Sequence, residues 1–153
     1  MLFLNVLVAI LISQFGFAES EHHHHAHHPK NTSNKLKLNH GEKWSTDQTL
    51  RTNMSAIHDQ IKGKLKEIHS NRMTVDQYKE LGKKIKSNTD DIFKNCKLKP
   101  DADAQLHIVL SDMLSANSKL LENNDIKEKR QAIDQILANY KTYTKYFDHK
   151  SDK

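Results

Sequence analysis

From Ser45 onward the chain repeats apolar residues at three- and four-residue steps, broken only where helix start and stop signals stand. That periodicity restricts it to helices packed on helices. Leu50, Met54, Ile57, Ile61, Leu65 and Ile68 form one stripe and predict a helix over 45–69. Its start carries Ser45-Thr46-Asp47-Gln48, a capping-box pattern in which the Ser hydroxyl accepts from the third helical N–H while the Gln reaches back. Thr74-Val75-Asp76-Gln77 repeats the signal. Val75, Tyr78, Leu81, Ile85, Ile92 and Phe93 supply a second stripe that ends near Cys96 and is weakened at Ser87, Asn88 and Thr89.

Pro100 suits a first helical turn, and Asp101 and Asp103 suit its positive end. Leu106, Val109, Leu110, Met113, Leu114, Leu120 and Leu121 make the third stripe. Asn123 and Asn124 stop it, Asp125 with Glu128 recaps, and Ile126, Ile133, Ile136, Leu137, Tyr140, Tyr143 and Phe147 make the fourth. No stretch alternates apolar and polar residues for long enough to make a strand of consequence. Short connectors favour antiparallel neighbours, so the expected fold is all-α: an up-down-up-down four-helix bundle over 45–149, with a C-terminal tail at 150–153. Gly63 and Gly82 fall inside the first two predicted helices, where each costs about 1 kcal/mol relative to Ala. Reflection through the 71–72 turn brings the two nearly opposite one another, which allows a close helix contact; neutral surface positions are the alternative.

With 153 residues the chain is sized for one domain. Residues 1–18, MLFLNVLVAILISQFGFA, hold no charged side chain, an apolar core from Val6 to Ile12, and small Gly16 and Ala18 at the places signal peptidase requires. They predict a signal peptide, a mature chain beginning at Glu19, and a periplasmic or secreted location. The apolar run is shorter than the ~20 residues of a bilayer span, so no stable membrane span is expected in the mature form. No Lys or Arg precedes the run, which departs from the usual pattern and leaves an uncleaved anchor as the alternative. Cys96 is the sole cysteine, so an exported chain must hold itself together by packing rather than by an internal disulfide. Its thiol reads equally as a small buried apolar group and as a reactive or metal-ligating one.

Residues 19–44 carry seven of the eleven histidines and no apolar periodicity, and are expected to be a flexible, disordered tail. His22, His23, His24, His25, His27 and His28 place six imidazoles within seven positions, enough to offer three or four nitrogens to one ion. Neutral imidazole suits copper, zinc and nickel, and affinity falls below about pH 6 as protons compete. Reflection through the turns puts Met54, Thr89 or Asp90, His107 and Tyr140 at one level, helix ends put Cys96 and His149 closer to the pole from which the tail starts, and His40, four residues before Trp44, is there too. A cation passed from the tail to a Cys96, His107 and Met54 cluster would meet thiolate, thioether and imidazole, a set that favours copper(I). The plain alternatives are a core Met54, a half-exposed helix residue at His107, and a solvated tail.

Thr52-Asn53-Met54 with Ile57 and Asp59-Gln60-Ile61-Lys62, His107-Ile108-Val109-Leu110 with Leu120-Leu121-Glu122-Asn123, and Asn139 to Tyr146 together resemble the cytochrome b562 family over 45–148. The resemblance implies a small exported four-helix bundle whose haem is held by a first-helix Met, here Met54, and a last-helix His. Where that family has Tyr-His this chain has Tyr143-Thr144, and the family's Arg one turn earlier is Tyr140. Threonine is no strong axial ligand, so the resemblance implies the fold and argues against b-type haem held by that pair; Met54 with His107 is the remaining haem reading. No Cys-x-x-Cys-His attachment motif is present.

No Ser/His/Asp pattern, phosphate-binding glycine loop or His-Glu-x-x-His helix appears, so no enzyme is expected. The net charge of +5 gives only mild attraction to anionic surfaces. Nucleic acid is not an expected partner, because export separates the two and no aromatics interleave with the lysines. Three readings stand: an exported metal-binding bundle that buffers, stores or delivers copper or zinc, with a metal transporter or other exported protein as partner; an interaction or stress protein whose histidines only tune charge; and a divergent haem protein.

Overall fold

The computed structural model describes residues 35–150. Residues 1–34, on which the expected signal peptide, most of the expected tail and His22 to His28 fall, and residues 151–153 lie outside the described residues. The described part is all-α: α1 is Gln48–Lys62, α2 Leu65–His69, α3 Val75–Asn95, α4 Pro100–Glu122 and α5 Ile126–Tyr146. No described helix is long and apolar enough to cross a membrane.

Each boundary has a local cause. α1 begins two residues later than the Ser45 box predicts, because Asp47 is its N-cap and accepts from the Leu50 N–H at 2.8 Å. The predicted single helix over 45–69 is broken at Gly63 and Lys64: the Lys64 N–H bonds back to the Ile61 carbonyl, three residues away instead of four, before α2 resumes. Thr74 and Gln77 form the full capping box at the start of α3, as expected. Thr89 does not weaken α3, since its hydroxyl is satisfied inside the helix by the Lys86 carbonyl at 2.8 Å. Pro100 occupies the first turn of α4, and Asp125 caps α5 by accepting from the Lys127 N–H at 2.7 Å.

Contacts run from α1 to α3, α3 to α4, α4 to α5 and, most sparsely, back from α5 to α1. Asn53 meets Asp91 and Gln60 meets Asn88; Gly82 meets Asn117; Lys119 meets Gln135; His58 meets Tyr140. Leu50, Met54, Ile57, Ile61, Tyr78, Ile85, Ile92, Leu106, Leu110, Met113, Leu120, Ile133, Ile136, Tyr143 and Phe147 fill one core. Each fully buried Leu, Ile or Met there contributes about 1.5–3 kcal/mol. Two stripe residues are exposed: Phe93 and Ile126, at 48% and 38%, each at the edge of its helix's apolar arc.

The glycines differ in role. Gly82 is buried, and a Cβ there would stand 3.0 Å from the Leu120 Cβ, so it lets α3 approach α4 rather than Gly63. Gly63 is exposed at the end of α1 and meets only its own helix backbone. Residues 35–44, expected to be free tail, lie against the helices instead. Leu36 and Trp44 pack on the core, the Lys37 N–H donates to Gln105 Oε1 at 2.7 Å, and the indole N–H of Trp44 donates to the Lys37 carbonyl at 2.7 Å. Leu36, Leu38 and Trp44 give this strap too few apolar residues for a periodic signal, yet enough to bury against helix ends.

Candidate functional site

Met54, Cys96, His107 and His40 are all described, and they do not converge. Met54 has no exposed surface and packs among core Ile and Leu side chains. His107 is exposed on α4, its Nδ1 lying 2.9 Å from the Asp103 carbonyl one turn earlier and its ring 5.7 Å from that of Phe93. His40 is exposed at a turn of the strap with φ of 51°, next to Gly41 at 93°. Cys96 ends α3 half buried, and its thiol lies 3.6 Å from Asp47 Oδ1. Burial, the Asp47 charge and that hydrogen bond push the thiol up to about 12. A thiol held so firmly in its protonated form is a poor soft-metal ligand. Among the described residues no group of three or more His, Cys, Asp or Glu side chains is placed to hold a metal ion.

Haem fits these residues no better. Thr144 is half buried and donates its hydroxyl to the Lys141 carbonyl within its own helix at 3.0 Å. Met54 points into a filled core while His107 faces its own helix and solvent, so the two do not form an axial pair.

The structure gathers a different polar cluster in the sparse seam between α1 and α5. His149 lies beyond the end of α5, where its N–H donates to the Phe147 carbonyl at 3.0 Å, turning the ring back over the helix. Ring Nδ1 is 3.0 Å from the Tyr143 hydroxyl, and Nε2 is 3.2 Å from both the Ser55 and the Tyr140 hydroxyls. Tyr140 is also stacked on His58 at 4.5 Å between centroids. Tyr140 and Tyr143 are one turn apart on α5 and Ser55 and His58 one turn apart on α1, so two flanking faces meet around the ring. Periodicity assigns Tyr140 and Tyr143 to the apolar stripe, and nothing in the sequence pairs them with Ser55. The visible signals are the spacing Tyr-x-x-Tyr followed by a His six residues on, and the placement of Tyr140 and His149 toward one pole.

The electrostatics of the seam favour a neutral imidazole. Burial lowers the His149 pKa below its ordinary 6.5, and Arg51, His58 and Lys43 lower it further. Burial raises both Tyr140 and Tyr143, keeping them as phenols. Ser55 beside a histidine resembles half of a nucleophile–base pair. The ring's other nitrogen, however, faces a neutral phenol rather than a carboxylate, which gives no support to a developing imidazolium. The arrangement therefore suits tying α1, α5 and the C-terminal segment together better than proton abstraction.

That segment is tied elsewhere as well. Trp44 N–H donates to the Tyr146 carbonyl and Asp148 N–H to the Trp44 carbonyl, each at 2.8 Å. The Thr46 hydroxyl donates to the Asp148 carbonyl at 2.7 Å, and Lys43 Nζ to the Thr144 carbonyl at 2.6 Å. Phe147 is fully buried against Tyr143 at 5.4 Å. No protein-family model, curated protein sequence or solved structure matches this chain.

Proposed function

We propose that this is an exported protein that binds copper or zinc through His22, His23, His24, His25, His27 and His28, and that it buffers, stores or delivers the ion in the periplasm or outside the cell. The observation that carries this reading is the run itself: six imidazoles in seven positions just after a segment built like a signal peptide. Nickel would compete for the same nitrogens. A metal transporter or another exported protein is the partner such an ion carrier requires. Along α1–α3 Asn53 meets Asp91 and Gln60 meets Asn88, and along α3–α4 Gly82 meets Asn117 and Phe93 meets His107; this opposite sense supports an antiparallel, up-down-up-down four-helix bundle as the carrier, similar in fold to the cytochrome b562 family and without its haem pair. The ligand role belongs to the histidine run alone, since Met54, Cys96 and His107 lie apart and the Cys96 thiol resists ionisation.

The test is a calorimetric and spectroscopic titration of the untagged chain with Cu(I), Cu(II), Zn(II), Ni(II) and haem. It is repeated on a variant with all six histidines of the run changed to Asn. The expected result is submicromolar copper or zinc affinity that the variant loses and that weakens below about pH 6. Binding no tighter than that of an unstructured histidine peptide, or a low-spin haem spectrum, overturns the reading.

A further inference from the structure

Phe147 is anchored in the core; beyond it, the Asp148 N–H donates to the Trp44 carbonyl and the Asp148 carbonyl accepts from the Thr46 hydroxyl, while the His149 side chain ties residues 148–150 to the helices. The imidazole reaches three hydroxyls on two helices, one of them on a fully buried tyrosine. We propose that His149 is the proton-operated bolt of a latch, so that protonating its ring releases residues 148–150 and with them their bonds to the Trp44 carbonyl and the Thr46 hydroxyl.

The hydrogen-bond inventory supplies the mechanism. A neutral imidazole donates from one nitrogen and accepts at the other, whereas imidazolium only donates. If Nδ1 is the acceptor, protonation takes away the acceptor used by the Tyr143 hydroxyl inside the core. If Nε2 is the acceptor, protonation takes it from Ser55 or Tyr140. In either tautomer a hydroxyl hydrogen that was satisfied is left facing a donor, and an unsatisfied buried group is costly.

The surroundings oppose the added charge from several directions. α1 presents Arg51 and His58, the latter 3.4 Å from the exposed Asp59 carboxylate that also acts on Tyr140, and the strap presents Lys43. α5 presents Tyr140 and Tyr143 as neutral phenols. Cys96 at the end of α3 and Asp47 before α1 act on the Tyr143 hydroxyl, with the Cys96 thiol donating to the Asp47 carboxylate. On its own segment Asp148 is drawn to Lys150 at 3.5 Å. The ring itself is bonded to hydroxyls, which cannot carry the compensating charge. Because the folded form binds this proton more weakly than the unfolded form, the latch is closed above pH 6.5 and weakens as pH falls from there through the lower folded value. Trp44 also walls a cavity of about 290 Å³ with Thr46, Lys97, Leu98 and Asp101, so loss of the Asp148 bonds at Trp44 and Thr46 reshapes that cavity.

Trp44 is the sole tryptophan, so its fluorescence reports the strap directly. The full chain is titrated from pH 8 to pH 4.5 while emission, helical circular dichroism and the His149 ring resonances are followed together. The expected result is a red shift of Trp44 emission with helicity retained and a midpoint below pH 6.5 that coincides with titration of the His149 ring. His149→Gln, which keeps a donor and an acceptor without titrating, is expected to lose the transition, whereas His40→Gln and His58→Gln keep it. The proposal is overturned by flat wild-type emission, by emission and ring midpoints that differ, by a transition unchanged in His149→Gln, or by one that disappears in His40→Gln. Should His149→Gln fail to fold, comparison of the two wild-type midpoints still decides the matter.

Discussion

The carboxylate of Asp47 accepts from the backbone N–H of Lys97, 50 residues further along the chain, at 2.6 Å. The same side chain caps α1 through the Leu50 N–H and meets the Cys96 thiol, so one residue joins the start of α1 to the end of α3. Replacing Asp47 with Ala is expected to cost about 1–2 kcal/mol for the lost cap alone, and more for the lost link to Lys97. Asp47→Ser restores the cap without reaching Lys97 and should recover about 1 kcal/mol. Urea unfolding of the two variants measures both parts; equal stability of Ala and Ser variants would contradict this assignment.

Gly82 and Gly63 should respond oppositely to alanine. At Gly82 the new methyl meets the Leu120 Cβ at 3.0 Å and Leu121 Cδ2 at 3.1 Å. A Cβ is fixed to its backbone, so α4 itself would have to move, and overpacking of about 1–3 kcal/mol outweighs the helix-propensity gain of about 1 kcal/mol. Gly63 has φ of −64° and open surroundings. Gly63→Ala should therefore stabilise by about 0.4–1 kcal/mol. Thermal melts of the pair provide the measurement, and a more stable Gly82→Ala would remove the close approach from the account.

Cys96 should be slow to alkylate. A thiol pushed from 9.0 to about 12 loses roughly 10³-fold in thiolate at a given pH, since each unit is tenfold. Iodoacetamide labelling at pH 8 is expected to proceed at least roughly tenfold more slowly than with an unfolded control and to accelerate in Asp47→Ala. Labelling as fast as in urea would show a thiol free of Asp47.

The parts of this architecture that were legible in the sequence are those that depend on residues three or four apart. Leu50, Met54, Ile57 and Ile61 share a helix face and all are buried, and the Thr74 cap is complete within four residues. What escaped was set by distant partners. Asp47 outcompetes Ser45 as a cap because its second oxygen has Lys97 to bind, and the strap at 35–44 is held by Gln105 and Thr144, neither of which leaves a periodic trace. His149 likewise acquires its role only when Ser55 from α1 is brought beside Tyr140 and Tyr143. Helix ends lead His149 and Cys96 toward one pole, whereas a shared level along a bundle says nothing about which way Met54 and His107 face.

Lys129 offers a pH signature at the other pole. It is fully buried in the first turn of α5, where the helix dipole disfavours a cation, and Nζ donates to the Leu120 carbonyl at the end of α4, where the dipole favours one. Burial lowers its pKa, with Lys79 adding to the effect, so the unfolded chain binds the proton more strongly. Stability from this group should rise with pH between the lowered folded value and 10.5, and Lys129→Met should abolish that rise. At pH 7 the Met variant is expected within about 1.5 kcal/mol of the parent, while Lys129→Ala loses about 2–4 kcal/mol to the cavity. Parallel denaturation series at pH 7 and pH 10 test both; a retained slope in the Met variant would assign it to another group.

The pairing of Thr46 with Asp148 spans 102 residues, whereas the contacts between successive helices close far shorter stretches of chain. Long closures are entropically the most demanding and contribute last to assembly. The helices can therefore zip up in order while the junction of strap and C-terminal segment waits until both are in place. In the reverse direction that junction is the place to start: it can come apart without dismantling any helix, so unfolding is expected to begin where the strap meets the C-terminal segment.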